Sequence, residues 1–241
     1  MIKYFILNLL KLFDYYYQIK LFNFLKKKGL KSFDIFFDVG AHRGESIELF
    51  SRNFDIKNIY SFEPSKINFE VLKNNLKKIK KKNKKINTTI ENLALGEDNK
   101  DIKIKHLSES SSSTINEIDI DSKYFKKKSI FLYKKKDNKF YKEESTTQIK
   151  LSDYLINNNI KKIDFLKIDT EGYEMNVLKG LGDQFKNVSI IMFEHHYHNM
   201  LLKNYKFHDI NYLLKKNNFS QIYKYKMPFR KTFEYVYVRR N

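Results

Sequence analysis

One stretch near the start of the chain constrains the fold more than any other. An apolar segment passes through Asp38 into a turn with Gly40 and Gly44, and a second apolar segment ends at Glu63. This order predicts a strand, a turn that opens a helix, and a neighbouring parallel strand. The acid follows the last glycine by about 20 residues, the spacing at which a carboxylate accepts ribose hydroxyls. We therefore expect a nucleoside-cofactor site at the edge of a parallel sheet.

The turn departs from the dinucleotide fingerprint, in which G-x-G-x-x-G places a glycine beside a pyrophosphate. Here Ala41 and His42 follow Gly40. A cofactor with a ribose and an adenine but no phosphates suits this turn better, and S-adenosyl-L-methionine is the expected cofactor. The alternative is an ordinary strand–turn–helix that uses glycine for geometry alone, and the acids Asp38 and Glu63 at the strand ends argue against it.

Beyond this turn, apolar and amphipathic segments alternate. Five segments predict parallel strands, at residues 35–39, 59–62, 88–94, 163–169 and 188–194. The chain then ends in two β-rich segments with no helix between them, so this pair is antiparallel. The pattern predicts an α/β, Rossmann-like class I methyltransferase sheet that is mostly parallel, flanked by helices and closed by a C-terminal antiparallel hairpin.

The chain is strongly basic, with 47 Lys and Arg against 28 Asp and Glu and a formal net charge of +19. Only five of the basic residues are arginine, although arginine is the better reader of phosphates and bases. An AT-rich coding bias explains the abundant Lys, Asn, Ile, Phe and Tyr, so we expect no specific nucleic-acid partner. Cysteine is absent, which excludes disulfides, thiolate catalysis and cysteine-bound zinc.

The sequence divides into two parts with different patterns. Residues 1–30 predict an amphipathic helical extension, with Lys3 and Lys11 on its polar side. Such a helix packs on the domain or on a second subunit, or it lies on a membrane surface. Because no apolar run reaches spanning length, we expect a cytoplasmic protein, with peripheral contact at the inner membrane face as an open alternative. Residues 31–241 form the predicted methyltransferase domain, with a Lys- and Ser-rich insertion around 99–148.

Acidic residues gather where two predicted strands end. Asp169 ends one strand and Glu171 follows it, while Glu194 and His195 end the next. The carboxyl ends of parallel strands meet at the ligand-binding edge of an open sheet, so these residues are expected near one pocket. A lone histidine is more often structural, but its place beside acids makes His195 a candidate general base, with Asp169 as the alternative.

Several motifs are more specific than the glycine turn. They are F-D-V-G-A-H-R-G-E at 37–45, F-E-P at 62–64, N-L-A-L-G at 92–96, the serine run near Ser111, L-S-D-Y-L at 151–155 and D-F-L-K-I-D-T-E-G-Y-E-M-N-V-L-K-G at 164–180. With them the chain resembles the FkbM-type methyltransferases, which are class I S-adenosylmethionine-dependent O-methyltransferases. The resemblance covers about residues 33–197.

The resemblance implies a role for each matching position. It assigns the methionine end of the cofactor to Asp38, Gly40, Ala41 and Gly44, the ribose to Glu63, and the surroundings of the adenine to Asn92 and Ala94. It places Asp169, Glu171 and Glu194 with His195 on the substrate side. His42 stands where many members of the family have asparagine.

The resemblance implies direct transfer of a methyl group from the cofactor to a hydroxyl of a carbohydrate, glycolipid or related secondary metabolite. A nucleic-acid methyltransferase is the alternative that the basic charge favours, but Pro64 and Pro228 are the only prolines, so the chain has no Asn/Asp-Pro-Pro-aromatic motif. A non-catalytic binding protein is a third interpretation. We assign no metal; a divalent cation on Asp169, Glu194 and His195 is the alternative mechanism.

Overall fold

Helices and strands alternate along the chain in the computed structural model, which describes residues 2–82, 85–107, 113–132 and 141–240. In chain order the elements are α1 (Ile2–Lys27), β1 (Ser32–Val39), α2 (Glu45–Asn53), β2 (Asp55–Phe62), α3 (Lys66–Lys82), β3 (Asn87–Glu91), β4 (Ala94–Gly96), β5 (Lys100–Leu107), β6 (Ser113–Thr114), β7 (Glu117–Ile118), α4 (Lys123–Leu132), β8 (Tyr141–Lys150), α5 (Leu151–Asn157), β9 (Ile163–Ile168), α6 (Glu174–Gly180), a 3-10 helix (Gly182–Asn187), β10 (Val188–His196), β11 (Leu201–Leu202), α7 (Phe207–Lys216), β12 (Phe219–Lys226) and β13 (Thr232–Arg239).

Within these residues, seven strands form the central sheet, in the order β12-β13-β10-β9-β1-β2-β3. The strands from β10 to β3 are parallel, whereas β13 runs antiparallel to both β10 and β12. This confirms the predicted class I methyltransferase sheet with its antiparallel hairpin. The register sets Val39, Ile168 and Phe193 level with one another at the carboxyl edge, so the loops that follow β1, β9 and β10 share one surface.

The two faces of the sheet carry separate apolar layers. Phe37 and Leu166 belong to one layer, with residues of α5, α6 and α7, while Phe36 and Phe165 belong to the other, with residues of α1, α2 and α3. Successive side chains of a strand point to opposite faces, so a strand covered on both faces needs an unbroken apolar run. This is why the central strands are recognisable as continuous apolar segments.

The C-terminal half of α1 packs on the domain. Tyr17, Leu21 and Leu25 are buried in the second apolar layer, at a spacing of one helical turn. The ring of Tyr17 stacks on that of Tyr225 in β12, with the ring centroids 3.7 Å apart. The side chains of residues 1–14, which complete the predicted amphipathic pattern, lie outside the described residues.

A membrane-spanning helix is absent from the described part of the chain, since none of its helices is both long and apolar enough.

The predicted third strand is divided in two. β3 stays in the central sheet and ends at Glu91, whereas β4 joins a separate four-stranded sheet in the order β4-β8-β5-β6. The chain turns at Asn92, whose side-chain amide donates to the carbonyl oxygens of Glu63 (2.9 Å) and Pro64 (3.1 Å). The predicted insertion supplies β5 to β8 and α4; its serines at 108–112 and its residues 133–140 lie outside the described residues.

Candidate active site

A cavity of about 300 Å³ lies over the carboxyl edge of the central sheet. Its walls come from the turn after β1, the ends of β2 and β10, the loop after β9, the helix α1 and the β12–β13 hairpin. Among the described residues, six acids line it against one lysine and one arginine, and these are Glu45, Glu63, Asp169, Glu171, Glu194 and Glu234, with Lys167 and Arg230. The cavity is therefore acidic, although the protein as a whole carries a net charge of +19.

The glycine turn lines the cavity, but its glycines are needed for contacts within the protein. Gly40 has a φ of +80°, and a Cβ there would lie 1.9 Å from the carbonyl oxygen of Asp169. Gly44 has a φ of +90°, and a Cβ there would lie 2.9 Å from Cδ1 of Leu72 in α3. Glycine thus lets the turn approach the loop after β9 and lets α2 pack closely on α3.

A substitution at Gly40 tests this contact. We expect Gly40→Ala to lower the free energy of unfolding by about 2 kcal/mol more than Gly29→Ala does, because overpacking adds to backbone strain. Gly29 is the matched control, since its φ is +83° and no described atom lies within 4 Å of the place that a Cβ would occupy. Urea denaturation of both variants measures the difference, and equal losses would contradict the steric explanation.

Glu63 lies at the tip of β2, the position at which the resemblance places the ribose. Its carboxylate is almost fully buried and accepts hydrogen bonds from the backbone N–H groups of His42 (2.8 Å) and Ser65 (3.0 Å). Burial raises the pKa of Glu63 to about 7, and these two donors oppose the shift only in part. Each carboxylate oxygen has a second lone pair, so hydroxyl donors from a ribose fit this side chain.

The two residues expected near the adenine occupy different positions. Ala94 lines the cavity together with Leu93 and Leu95, so apolar side chains form part of its wall. Asn92 is not among the lining residues, and its amide is bonded to the backbone after β2. Asn92 therefore shapes the loop that carries Ala94.

Asp38 does not line the cavity, in contrast to the position that the resemblance assigns to it. It is fully buried beside Lys167, whose Nζ lies 3.2 Å from Asp38 Oδ1 and 3.4 Å from Asp169 Oδ2. Burial lowers the pKa of Lys167, but the charges of Asp38 and Asp169 outweigh burial and hold this pKa above its ordinary value. Asp38 thus anchors Lys167, which in turn holds Asp169. Of the residues assigned to the methionine end, Gly40 and Ala41 line the cavity.

The acids at the ends of β9 and β10 come together at the cavity, where Asp169, Glu171 and Glu194 all line it. Glu171 has a left-handed backbone, with a φ of 49°, and its carbonyl oxygen accepts a hydrogen bond from the Thr114 hydroxyl (2.8 Å). Burial, followed by the charges of Asp169 and Glu171, raises the pKa of Glu194 well above its ordinary value. Glu194 therefore holds its proton more readily than an ordinary carboxylate does.

The expectation that His195 faces these acids is wrong. Its ring packs against Tyr197, Tyr205 and Phe207, with centroid distances of 4.8, 5.8 and 5.8 Å, and it does not line the cavity. Burial lowers the pKa of His195 to about 3, so this imidazole is neutral at physiological pH. The cause is the alternation of side chains along β10, which sends Glu194 to one face and His195 to the other.

His196 faces the acids instead. Its Nε2 lies 3.0 Å from Glu171 Oε2 and 3.4 Å from Glu194 Oε1, so it joins the two carboxylates from behind the cavity wall. The alternative cation site on Asp169, Glu194 and His195 does not form, since His195 points to the opposite face.

The sequence did not predict a role at the cavity for Lys167, Tyr17 or Glu234. Lys167 lies inside an apolar strand motif, and only its register opposite Asp38 shows its role. Tyr17 and Glu234 stand 217 residues apart, yet the Tyr17 hydroxyl donates to Glu234 Oε2 at 2.5 Å. No local pattern marks either residue, because the contact arises only when α1 packs on the sheet.

The strand order, the buried acid at the tip of β2 and the acids beside the glycine turn together define a class I methyltransferase. The family model described as the methyltransferase FkbM domain matches residues 38–220. The chain therefore belongs to the FkbM family of S-adenosylmethionine-dependent methyltransferases.

Solved structures share the fold at low sequence identity. The methyltransferase FkbM of Methylobacillus flagellatus KT is 17% identical, with a TM-score of 0.53 over 86% of this chain and 44% of that one. The magnesium protoporphyrin IX methyltransferase of Synechocystis PCC 6803, solved with bound SAM, is 11% identical, with a TM-score of 0.52 over 95% of this chain and 81% of that one. The chain thus spans less than half the length of the Methylobacillus protein. No curated protein matches it.

Proposed function

We propose that this protein transfers the methyl group of S-adenosylmethionine to a hydroxyl of a carbohydrate, glycolipid or related secondary metabolite. The observation that carries the proposal is the acidic cavity beside the glycine turn, in which Asp169, Glu171 and Glu194 lie together. Carboxylates accept hydrogen bonds from the hydroxyls of a polyol, and one of them can take the proton that leaves during transfer.

The lining residues fit the cofactor. Glu63 offers a buried carboxylate to the ribose, and Leu93 and Ala94 offer apolar surface to the adenine. Gly40 and Ala41 also line the cavity, and to them we assign the methionine end of the cofactor. When bound, the cofactor supplies a methyl group already activated by its sulfonium, so the protein has to align the acceptor and manage one proton.

Glu194 is the proposed general base. Burial and neighbouring acids raise its pKa, which makes it a stronger base than an ordinary carboxylate and so favours acceptance of the hydroxyl proton. His196 holds Glu194 and Glu171 in place from behind, and Lys167 holds Asp169. Asp169 and Glu171 then orient the acceptor hydroxyls.

A nucleic-acid acceptor fits this cavity less well. Among the described lining residues, phosphates near the reacting centre would meet six acidic side chains and only one lysine and one arginine. The excess lysine lies elsewhere in the sequence, for example in the run at 77–85, and would attract nucleic acid without sequence preference.

Methyl transfer from radiolabelled S-adenosylmethionine tests the acceptor class. We expect label in members of a panel of methyl glycosides and extracted glycolipids, and none in transcribed RNA offered at the same concentration. Recovery of an O-methyl sugar after hydrolysis would identify the product. Label in RNA alone would contradict the proposal and favour the nucleic-acid alternative.

A further inference from the structure

Two elements outside the span matched by the family model contribute to the cavity wall. Tyr17 and Gln18 of α1 and Glu234 of β13 line the cavity, whereas the family match covers residues 38–220. β13 pairs with β10 on one side of β9 in the strand order. The proposed cofactor residues Gly40 and Glu63 follow β1 and β2, on the other side of β9. Glu234 therefore belongs to the part of the site away from the cofactor residues.

Tyr17 is held in a fixed position. It is 2% exposed, its ring stacks on Tyr225 at 3.7 Å, and its hydroxyl donates to Glu234 Oε2 at 2.5 Å. A phenol oxygen that donates its proton can still accept a hydrogen bond, and a carboxylate has several acceptor positions. The pair thus offers acceptor atoms to hydroxyl donors inside the cavity.

Glu234 stands beside the proposed base. In the antiparallel pairing of β10 with β13, Glu194 is the direct partner of Glu234. Directly paired residues point to the same face of a sheet, with Cβ atoms about 5 Å apart. A group bound by Tyr17 and Glu234 therefore lies next to a group whose proton Glu194 accepts.

We propose that Tyr17 and Glu234 form the acceptor-recognition pair, which binds a hydroxyl adjacent to the one that is methylated. The inference rests on the proposed function and adds to it a substrate class, a polyol with neighbouring hydroxyls. It also gives α1 a part in the site: the helix carries one half of the recognition pair into the cavity.

Steady-state kinetics test the pair. Tyr17→Phe keeps the stacked ring and removes the hydroxyl, and Glu234→Gln keeps the shape and removes the charge. With radiolabelled S-adenosylmethionine and the best glycoside of a panel with neighbouring hydroxyls, we expect each variant to raise the acceptor KM about tenfold. We expect the calorimetric Kd of S-adenosylhomocysteine to stay within about twofold of wild type in both variants, because neither residue is assigned to the cofactor. We expect kcat to stay within the same range in Tyr17→Phe. In Glu234→Gln the pKa of Glu194 should fall, since the charge of Glu234 helps to raise it. Tyr16→Phe is the matched control, since Tyr16 is exposed on the same helix.

The outcomes distinguish a failure of the recognition pair from a failure of the proposed function. An unchanged acceptor KM in both variants, or a lowered melting temperature as their only effect, would overturn the recognition pair and leave the two residues as a structural tie between α1 and the sheet. If wild type binds S-adenosylhomocysteine but methylates no glycoside, the polyol acceptor fails, and with it the recognition pair. If wild type does not bind S-adenosylhomocysteine, the proposed function itself fails.

Discussion

Glu194→Gln is expected to lower kcat for methyl transfer about a thousandfold, within the range for loss of a positioned general base. The amide keeps the size of the side chain but cannot accept the proton of the acceptor hydroxyl. The Kd of S-adenosylhomocysteine should change little. Glu70→Gln makes the same chemical change on an exposed position of α3 and should leave kcat unaltered.

The pH dependence identifies the base more directly. Burial and neighbouring acids raise the pKa of Glu194, so it holds its proton to a higher pH than an ordinary carboxylate. The active, deprotonated form accumulates as the pH rises, so wild-type kcat should increase with pH on the acidic side of the pH–rate profile. Glu194→Gln should not show this increase. If Glu194→Gln keeps both the wild-type rate and the increase of kcat with pH, the base is another group, and Asp169 is the next candidate.

Glu63→Ala is expected to weaken binding of S-adenosylhomocysteine about a hundredfold, since it removes a buried carboxylate that accepts hydrogen bonds from the ribose. Glu48→Ala removes a carboxylate from α2 that does not line the cavity and should bind the ligand as wild type does. Isothermal titration calorimetry measures both. Unchanged affinity in Glu63→Ala would contradict the ribose assignment.

The pKa of Glu63 also predicts how the affinity for S-adenosylhomocysteine depends on pH. Because burial raises this pKa to about 7, a fraction of the side chain is protonated at neutral pH. The carboxylate form accepts hydrogen bonds from two hydroxyls, so affinity should rise as the pH increases through 7 and fall below it. This dependence should disappear in Glu63→Ala, which distinguishes it from any general effect of pH on the fold.

Much of the architecture could be predicted from local pattern. A strand covered on both faces needs a mostly apolar run, and such runs mark the three central parallel strands β1, β9 and β10. The edge strand β3 is mostly polar and only partly buried. The absence of a helix between the last two segments predicted the antiparallel hairpin. The order of strand, glycine turn and strand likewise placed Glu63 at the carboxyl edge, because that position depends only on where β2 ends.

The sequence by itself thus determined which loops meet at the site, whereas only the tertiary structure decided which side chains face it. Successive residues of a strand point to opposite faces, so a prediction that is wrong by one position selects the wrong side chain. Here it selected His195, which packs among aromatic rings, whereas His196 contacts the acids. The contact of Tyr17 with Glu234 had no local pattern to reveal it, since it joins residues 217 positions apart. Such contacts depend on how helices pack on the completed sheet, and that packing follows from the whole set of buried surfaces rather than from any one segment.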